Sequence, residues 1–426
     1  MDKFVIKGGN ALNGEVIIPS AKNSYLPILA ATILCEEKII LHNCPYYSDI
    51  KNMCALLEHL GAKVKRFGSD LIIDSSKITS YKIPAYLSGC IRSSIFSLGS
   101  ILGRCKKAVV AYPGGCEIGA RPIDLHIKGL RALKVKIKDR HGYLNCDGRN
   151  LTGGTITLDM PSVGATENIM LAGVLAKGET KIINSAKEPE IVDLQNFLNS
   201  MGAKVSGAGT SVITIKGVSS LHSTEYTPIP DRIITGTILL STIMTGGKVT
   251  IKNSKPEHIQ ALLSKLDNNS CKVSIENDRI IVESDKRPLS IHKIETAPFP
   301  GFATDLQPQV MSLQTISKGT SIIVENLFET RFKHVPQLHK MGADIVVKDR
   351  TAIINGATQL FGAEVTATDL RGGAALVMAG LVAKGTTVVH NVKYIDRGYE
   401  NFEKMLSSLG AEITRDEEKD KGYFMG

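Results

Sequence analysis

The N-terminal segment 1–18 alternates apolar and polar residues, which is typical of strands. Further along the chain, one pattern recurs six times: an apolar helical run, a turn that often contains glycine, and a short β-type run that usually ends in asparagine. The copies end at Asn43, Tyr112, Asn184, Asn253, Asn326 and Asn391. A spacing of about 70 residues is too long for a thin solenoid, so each copy is predicted to be a mixed unit of helices and strands.

A second marker follows each copy: a helix that stops at a glycine and leads into another strand. Glycine is favoured there because helices commonly end with a residue in the left-handed region. Because the two markers repeat in the same register, chance recurrence of a helix, a glycine and a strand does not explain the sixfold pattern. The clear copies lie at Gly61, Gly202, Gly342 and Gly410, and degenerate ones lie at Leu133–Ile137 and Ser270–Val273.

The length of 426 residues exceeds one ordinary hydrophobic core and predicts two domains. Six repeats in two domains give three repeats per domain. We expect ligands in a cleft between the domains, because clefts at domain boundaries are common binding sites.

The net charge of +9 is spread along the chain without a run of five basic residues. There is no Trp, and aromatic residues make up 5% of the chain, so a base-stacking RNA surface is not expected. A basic cleft that concentrates small anions accounts for the charge better than a nucleic-acid partner does.

The segment at the N-terminus has no signal-type apolar stretch. The longest apolar runs, near Ile28–Cys35 and Ala374–Ala383, are shorter than the roughly 18 residues that span a bilayer. Eight cysteines include no C-x-x-C pair, which predicts reduced thiols and no zinc site. We therefore expect a cytoplasmic protein without membrane association.

Two segments carry candidate chemistry. Lys22 follows a strand and precedes an apolar run, which places it near a helix N-terminus, where anions are favoured. The stretch Pro113–Pro122 holds three Gly and two Pro and is predicted to be a loop that can act as a lid. Within it, Cys116 lies five residues before Arg121. A thiol among glycines is more consistent with function than with an inert core position.

These segments and others resemble the UDP-N-acetylglucosamine enolpyruvyl transferases of the enolpyruvyl transferase superfamily. The similarity runs in order from Met1 to about Ile413, and residues 414–426 lie outside it. The matching motifs are Lys22–Asn23, Pro113–Cys116, Ile118–His126, Pro161–Thr166, Lys187–Asp193, Pro230–Arg232, Phe302–Gln307, Phe328–Phe332, Ala367–Arg371 and Ile395–Tyr399.

The resemblance implies an α/β (α+β) fold. Two similar domains each consist of three βαβαββ-like units around buried helices, an inside-out barrel like that of EPSP synthase. The first domain is expected at 22–229 and carries the Cys116 lid. The second is expected to combine 1–21 with 230–426.

The resemblance also implies the reaction. The 3-hydroxyl of the sugar adds to C2 of phosphoenolpyruvate while C3 gains a proton, and the tetrahedral ketal then loses phosphate and a C3 proton. Cys116 is expected to donate the proton and to be able to hold phosphoenolpyruvate covalently; the sequence leaves open whether it is a thiol or a thiolate. Asp305 is expected to be the base for the hydroxyl. Lys22, Arg121 and Arg397 are expected at the phosphate and carboxylate.

Phosphoenolpyruvate and UDP-N-acetylglucosamine are the implied partners, with no cofactor, no metal and no obligate protein partner. Some relatives carry Lys where this chain has Met160, which puts a cationic contact from that position in doubt. The Ser-Val-Gly turn at position 162 could offer N–H groups to the diphosphate. The implied substrate-binding residues are Lys22, Asn23, Arg92, Arg121, Pro122, Ile123, Asp124, Leu125, Ser162, Val163, Gly164, Asp305, Leu327, Arg331, Asp369, Arg371 and Arg397.

Three other functions compete with this one. The sister branch of the superfamily uses shikimate 3-phosphate as acceptor, but the Cys116 loop and the Arg121–Leu125 motif favour the nucleotide sugar. A basic RNA-binding protein is disfavoured by the dispersed charge. An inactive paralogue with a regulatory role is disfavoured because Cys116, Asp305 and the expected cations are all present.

Overall fold

The computed structural model describes residues 2–114, 118–119, 121–267 and 270–417. The predicted proton donor, Cys116, lies outside these residues. Within them the chain alternates short strands and helices. The strands are β1 (Lys3–Lys7), β2 (Leu12–Ile17), β3 (Lys38–Leu41), β4 (Lys63–Phe67), β5 (Asp70–Asp74), β6 (Lys82–Ile83), β7 (Lys107–Ala111), β8 (Lys136–Arg140), β9 (Tyr143–Asp147), β10 (Thr155–Thr157), β11 (Glu179–Ile183), β12 (Lys204–Ser206), β13 (Val212–Lys216), β14 (Thr224–Tyr226), β15 (Gly247–Lys252), β16 (Cys271–Glu276), β17 (Arg279–Ser284), β18 (Lys293–Glu295), β19 (Thr320–Val324), β20 (Asp344–Lys348), β21 (Thr351–Asn355), β22 (Glu364–Thr366), β23 (Thr386–His390) and β24 (Glu412–Asp416).

Two kinds of helix connect the strands. The α-helices are α1 (Lys22–Ala31), α2 (Ser48–Leu60), α3 (Ala85–Ser88), α4 (Phe96–Cys105), α5 (Asp124–Ala132), α6 (Val163–Gly173), α7 (Pro189–Ser200), α8 (Arg232–Thr245), α9 (Gln260–Leu266), α10 (Gln307–Ile316), α11 (Val335–Lys340), α12 (Leu370–Val382) and α13 (Phe402–Ser408). Short 3-10 helices occupy Thr32–Leu34, Arg92–Ile95, Pro256–Ile259, Thr304–Leu306 and Val392–Arg397. None of the helices in the described ranges is long and apolar enough to cross a membrane.

The strands form six four-stranded sheets of one design. In the sheet β10-β11-β13-β12, the first pair is parallel and the next two pairs are antiparallel. The same order recurs in β18-β19-β21-β20, β6-β7-β9-β8, β14-β3-β5-β4, β22-β23-β1-β24 and β2-β15-β17-β16. The predicted sixfold repeat is therefore confirmed as a repeat of one βαβαββ-like unit.

The two sequence markers occupy the places that were predicted. The six β-type runs are β3, β7, β11, β15, β19 and β23, and four of their terminal asparagines are left-handed: Asn43, Asn184, Asn253 and Asn391, with φ of 53–59°. The glycine marker is also left-handed, as at Gly61, with φ of 111°. In the degenerate second copy, Lys134 takes this conformation, with φ of 66°. Asn adopts left-handed backbone more readily than most residues, so the repeat can be recognised in the sequence by its recurring asparagines.

Three sheets are not continuous in sequence. Strand β14 completes the sheet of β3, β4 and β5, and β2 runs parallel to β15. Strand β1 lies between β23 and β24, so the N-terminal strand pairs with the last one, Lys3 opposite Asp416. Part of the segment beyond the family resemblance, residues 414–416, thus belongs to a sheet.

The described residues divide into two compact lobes. The N-terminal lobe contains 19–114 and 121–229, and the C-terminal lobe contains 2–18, 118–119 and 230–417. Each lobe contains three of the six sheets. Nearly every residue of α1, α4 and α6 in the N-terminal lobe, and of α8, α10 and α12 in the C-terminal lobe, is buried. A helix that is buried on all sides lies in the interior of its domain, so these helices, three in each lobe, form the cores.

Candidate active site

The candidate residues cluster at one place in the repeat, the N-terminal end of a buried helix. Lys22 is the first residue of α1, and Arg92 lies in the 3-10 helix that leads into α4. Asp305 lies in the 3-10 helix before α10, and Asp369 caps α12. Free N–H groups and the helix dipole make such ends favourable for anions. Each lobe therefore contains several ends suited to phosphate or carboxylate groups.

In the C-terminal lobe, the Asp305 carboxylate is held by two buried arginines. Arg331 Nη2 donates to Asp305 Oδ1 at 2.8 Å, and Arg371 donates to Oδ2 through Nη2 at 3.2 Å and Nε at 3.3 Å. Both arginine side chains are 2% exposed, whereas that of Asp305 is 28% exposed. Burial disfavours the charge of Arg371, but Asp305, Tyr399 and Asp231 together raise its pKa. The carboxylate is thus oriented and remains accessible.

Asp369 supports this pair of arginines. Its Oδ1 accepts from the backbone N–H groups of Arg371 and Gly372, both at 3.0 Å, as an N-cap does. The same oxygen lies 3.9 Å from Arg331 Nη1. His334 lies beside this group with both ring nitrogens buried. Burial, with a smaller contribution from Arg331, lowers the pKa of His334 to about 4 although Asp369 opposes the shift.

Glu325 connects the segment that carries Asp305 to the segment that carries Leu327. Its carboxylate accepts from Thr304 Oγ1 at 3.0 Å and from the backbone N–H of Leu327 at 2.9 Å. The sequence analysis missed this residue. Its position just before the repeated asparagine, where an acid is unusual among the six copies, was the available signal.

Arg397 ends the 3-10 helix Val392–Arg397, and the preceding residue is anchored by an ion cluster. Arg415 donates to Asp396 Oδ2 at 3.0 Å and to Asp2 Oδ2 at 3.2 Å, and its Nε lies 3.4 Å from Glu403. Arg415 lies in β24, beyond the part of the chain that carried the family resemblance. No pattern in the sequence predicts this contact.

In the N-terminal lobe, Lys22 is almost fully buried. Its Nζ lies 2.7 Å from Asp49 Oδ2, and the two side chains are 9% and 5% exposed. Asn23, the next residue of α1, is partly exposed. The N-cap position of α1, Ala21, provides no side-chain hydrogen bond. The ammonium group therefore lies at a helix end without a side-chain cap, which suits an anion.

The Arg121 region lies near Arg92. Arg92 Nη2 donates to the carbonyl oxygen of Arg121. Arg121, Pro122 and Asp124 are exposed, Leu125 is partly exposed, and Ile123 is buried. Asp124 begins α5. This predicted nucleotide-sugar motif therefore presents an exposed cation, Arg121. The backbone carbonyl of the same residue contacts a second cation, Arg92.

The Ser-Val-Gly segment is a helix N-terminus in addition to a turn. Ser162 caps α6 by accepting from Ala165 N at 3.4 Å, and Val163 and Gly164 form the first turn. A Cβ on Gly164 would lie 3.1 Å from His126 Cε1, which is tight for a side chain. Met160, 54% exposed, precedes this turn. Position 160 thus offers an exposed apolar side chain beside this helix end.

Buried titratable groups surround α6. Glu167 is 1% exposed; burial and the charges of Glu190 and Glu188 raise its pKa, against a lowering effect of Arg121. Burial and the neighbouring carboxylates thus favour the neutral form of this group. His126 lies on the facing helix α5 and is 6% exposed. The sequence analysis selected neither residue, because an isolated acid or histidine in a helical pattern carries no spacing signal.

The described parts of the Cys116 loop have no regular structure: Pro113, Gly114 and Pro122 lie in neither helix nor strand. Gly114 approaches another backbone closely, since a Cβ there would lie 1.9 Å from Gly89 O. The seven cysteines that the structure describes form no disulfide with one another. No group of three or more His, Cys, Asp or Glu suited to a metal occurs within the described ranges.

The architecture is that of a known class of enzymes. The fold is similar to the crystal structure of the enolpyruvyl transferase NikO from Streptomyces tendae, with a TM-score of 0.86 and 24% identity over 97% of this chain and 98% of that one. It is also similar to EPSP synthase from Acinetobacter baumannii, with a TM-score of 0.73 and 17% identity over 98% and 100% of the two chains. These likenesses define the fold as that of the enolpyruvyl transferases and confirm the predicted fold class.

Sequence relatives identify the family of this chain within that class of enzymes. Residues 6–406 match the family model of EPSP synthase (3-phosphoshikimate 1-carboxyvinyltransferase). UDP-N-acetylglucosamine 1-carboxyvinyltransferase 2 of Caldanaerobacter subterraneus subsp. tengcongensis is 53% identical, covering 97% of this chain and 100% of its own. UDP-N-acetylglucosamine 1-carboxyvinyltransferase of Gloeobacter violaceus is 48% identical, covering 96% and 90%. The chain therefore belongs to the UDP-N-acetylglucosamine 1-carboxyvinyltransferases, a family of transferases within the EPSP synthase group.

Proposed function

We propose that this chain transfers the enolpyruvyl group of phosphoenolpyruvate to the 3-hydroxyl of UDP-N-acetylglucosamine and releases phosphate, a step of peptidoglycan synthesis. The observation that carries the proposal is that relatives about half identical over nearly the whole chain bear the name of this activity. The Asp305 arrangement supports it, because a carboxylate fixed by two arginines suits proton abstraction at a defined position.

The reaction defines what the side chains must do. The hydroxyl oxygen bonds to C2 of phosphoenolpyruvate, its proton goes to a base, and C3 gains a proton from an acid. The ketal then eliminates phosphate with loss of a C3 proton, which restores the double bond. The enzyme therefore needs a base, an acid, and cations for one carboxylate and one departing phosphate.

Asp305 is the proposed base. The guanidinium groups of Arg331 and Arg371 hold its two oxygens in a fixed orientation. Its 28% exposure leaves space for a substrate hydroxyl. Arg331, Arg371 and Asp369 are the proposed residues that position it. Glu325 is added to these, since it fixes Thr304 next to Asp305.

The anionic groups have proposed sites of their own. Lys22 and Asn23, at the first turn of α1, together with Arg121 and Arg397, would bind phosphoenolpyruvate. The diphosphate would bind at the first turn of α6. The full set of residues proposed for the nucleotide sugar is Arg92, Arg121, Pro122, Ile123, Asp124, Leu125, Ser162, Val163, Gly164, Asp305 and Leu327.

Cys116, outside the described residues, remains the proposed acid. The proposed domains remain 22–229, with the Cys116 lid, and 1–21 with 230–426. We further propose that the protein acts in the cytoplasm, with the two substrates as its partners and with neither nucleic acid nor membrane.

Phosphate release tests the proposal. The purified protein is incubated with phosphoenolpyruvate and either UDP-N-acetylglucosamine or shikimate 3-phosphate, since the family model is described by the latter activity. We expect phosphate with the nucleotide sugar and none above background with shikimate 3-phosphate. The reverse preference would refute the proposed acceptor and leave the fold unaffected.

A further inference from the structure

His126 and Asn168 form a buried pair between α5 and α6. Asn168 Nδ2 lies 3.0 Å from His126 Nδ1 and 3.1 Å from the carbonyl oxygen of Ile95. Asn168 is fully buried, and His126 is 6% exposed. The pair lies one and a half turns into α6, behind Gly164.

The Ile95 carbonyl determines which way the Asn168 amide faces. A carbonyl oxygen can accept but cannot donate, so it must face the NH₂ group; turning the amide would place two oxygens together. The NH₂ group then donates one hydrogen to Ile95 and the other to His126 Nδ1. A neutral ring nitrogen that accepts carries no proton, so the ring proton of His126 lies on Nε2.

The Nε2 edge of the ring faces the N-terminal turn of α6. A Cβ on Gly164 would lie 3.1 Å from His126 Cε1 and 3.2 Å from Nε2. Nε2 has no hydrogen-bond partner among the described residues, and it is not one of their fully buried unpartnered atoms. The N–H group therefore keeps access to the helix end that Ser162 caps.

The ring is neutral at physiological pH. Burial, with the charges of Arg92 and Arg121, lowers the pKa of His126 to about 3. A neutral imidazole can face an anion favourably only through its N–H nitrogen; the opposite tautomer would present a lone pair to the anion. Met160 provides no positive charge at this helix end. A neutral hydrogen-bond donor such as His126 therefore matters more for binding an anion there.

We infer that Asn168 is a positioning residue that fixes the Nε2–H tautomer of His126, so that the ring donates a hydrogen bond to the diphosphate of the nucleotide sugar at the first turn of α6. The inference rests on the proposed function for its ligand. The tautomer itself can be tested without any ligand.

The first experiment measures the tautomer in the free protein. Histidine is labelled with ¹⁵N, and long-range ¹H–¹⁵N correlation spectra identify the protonated ring nitrogen, with His126→Gln used to assign the signal. We expect Nε2–H in the wild-type protein. Asn168→Asp should convert the ring to Nδ1–H or to the doubly protonated form, because a carboxylate accepts where the amide donated. An Nδ1–H signal in the wild-type protein would overturn the inference.

The second experiment measures steady-state kinetics. Asn168→Asp should raise KM for the nucleotide sugar roughly ten- to a hundredfold, as loss of a hydrogen bond to a charged group does, and leave KM for phosphoenolpyruvate within twofold. Asn184→Asp is the matched control, because Asn184 Nδ2 donates to a backbone carbonyl, Leu158 O, at 2.9 Å in the same lobe. This control should change neither KM nor the His126 signal.

Several outcomes separate the possible errors. A nucleotide-sugar KM within twofold of wild type in Asn168→Asp would overturn the inference, while phosphate release still supports the proposed function. Absence of activity with UDP-N-acetylglucosamine in the wild-type protein would refute the proposed function, and with it the ligand, independently of the spectrum. If Asn168→Asp does not fold, Asn168→Ala replaces it; a fixed Nε2–H tautomer in that variant would show that Asn168 does not set it.

Discussion

Arg331 Nη2 and Asp305 Oδ1 lie 2.8 Å apart, and they join a fully buried guanidinium to a carboxylate that remains accessible. The contact orients the carboxylate, and its side chain stays 28% exposed. A base positioned in this way needs no rearrangement before it accepts a proton.

The first prediction concerns this carboxylate. Asp305→Asn should fold normally but lose about 10²–10⁴-fold in kcat, because the amide is nearly isosteric but cannot take the hydroxyl proton. Rapid-quench or steady-state phosphate assays measure the loss. Asp344→Asn, on an exposed strand position, is the control. An Asp305→Asn enzyme within threefold of the wild-type rate would place the base elsewhere.

The second prediction concerns the arginine on the other carboxylate oxygen. Arg371→Gln should lower the free energy of unfolding by about 3 kcal/mol, because it removes one partner of a largely buried ion pair. It should also lower kcat, since Asp305 loses its orientation. Arg149→Gln breaks an exposed pair with Asp147 and should change neither urea unfolding nor activity. Equal stability of the two variants would contradict the prediction.

The third prediction concerns acid stability. His334 protonates near pH 4 when folded and near 6.5 when unfolded, so between these values the unfolded chain binds more protons. Stability should therefore fall as the pH drops from about 6.5 to 4, by about 3 kcal/mol from this residue. Urea unfolding at pH 7 and pH 5 should show a shallower acid loss in His334→Leu than in the wild type. His141→Gln, at an exposed position, should leave the pH dependence unchanged.

The fourth prediction concerns thiol labelling. The epoxide phosphonate fosfomycin should modify Cys116, because Arg121 and Lys22 are expected to attract the phosphonate as they attract phosphate. Burial raises the pKa of Cys54 and Cys146 to about 12, so few of these thiols are thiolates at pH 7. Cys90, which is exposed, is the main competing thiol.

Peptide mass mapping decides this prediction. Cys90→Ser should still be labelled, Cys116→Asp should escape labelling and retain activity, and Cys116→Ala should form no product. The nucleotide sugar should accelerate labelling of the wild type. Modification mainly at Cys90 would mean that Cys116 does not bind phosphoenolpyruvate.

The repeat and its secondary structure could be predicted from the amino-acid sequence. Asn43 and Gly61 have left-handed backbone. Asn and Gly adopt this conformation more readily than other residues, so these turns could be predicted from a single copy of the pattern. The start of α1 at Lys22 was predictable for the same reason, since a polar turn between a strand and an apolar run defines a helix end.

The tertiary structure alone decided which distant residues meet. Asp305 lies 66 positions from Arg371, and their contact depends on how α10 packs against α12. The placement of β1 beside β24, the Glu325 contacts and the Asn168–His126 pair have the same origin. Such contacts arise from long-range packing, which constrains side chains without imposing a periodic pattern on the sequence. Among them, only Glu325 had a local signal, an acid at a position where the other five copies have none.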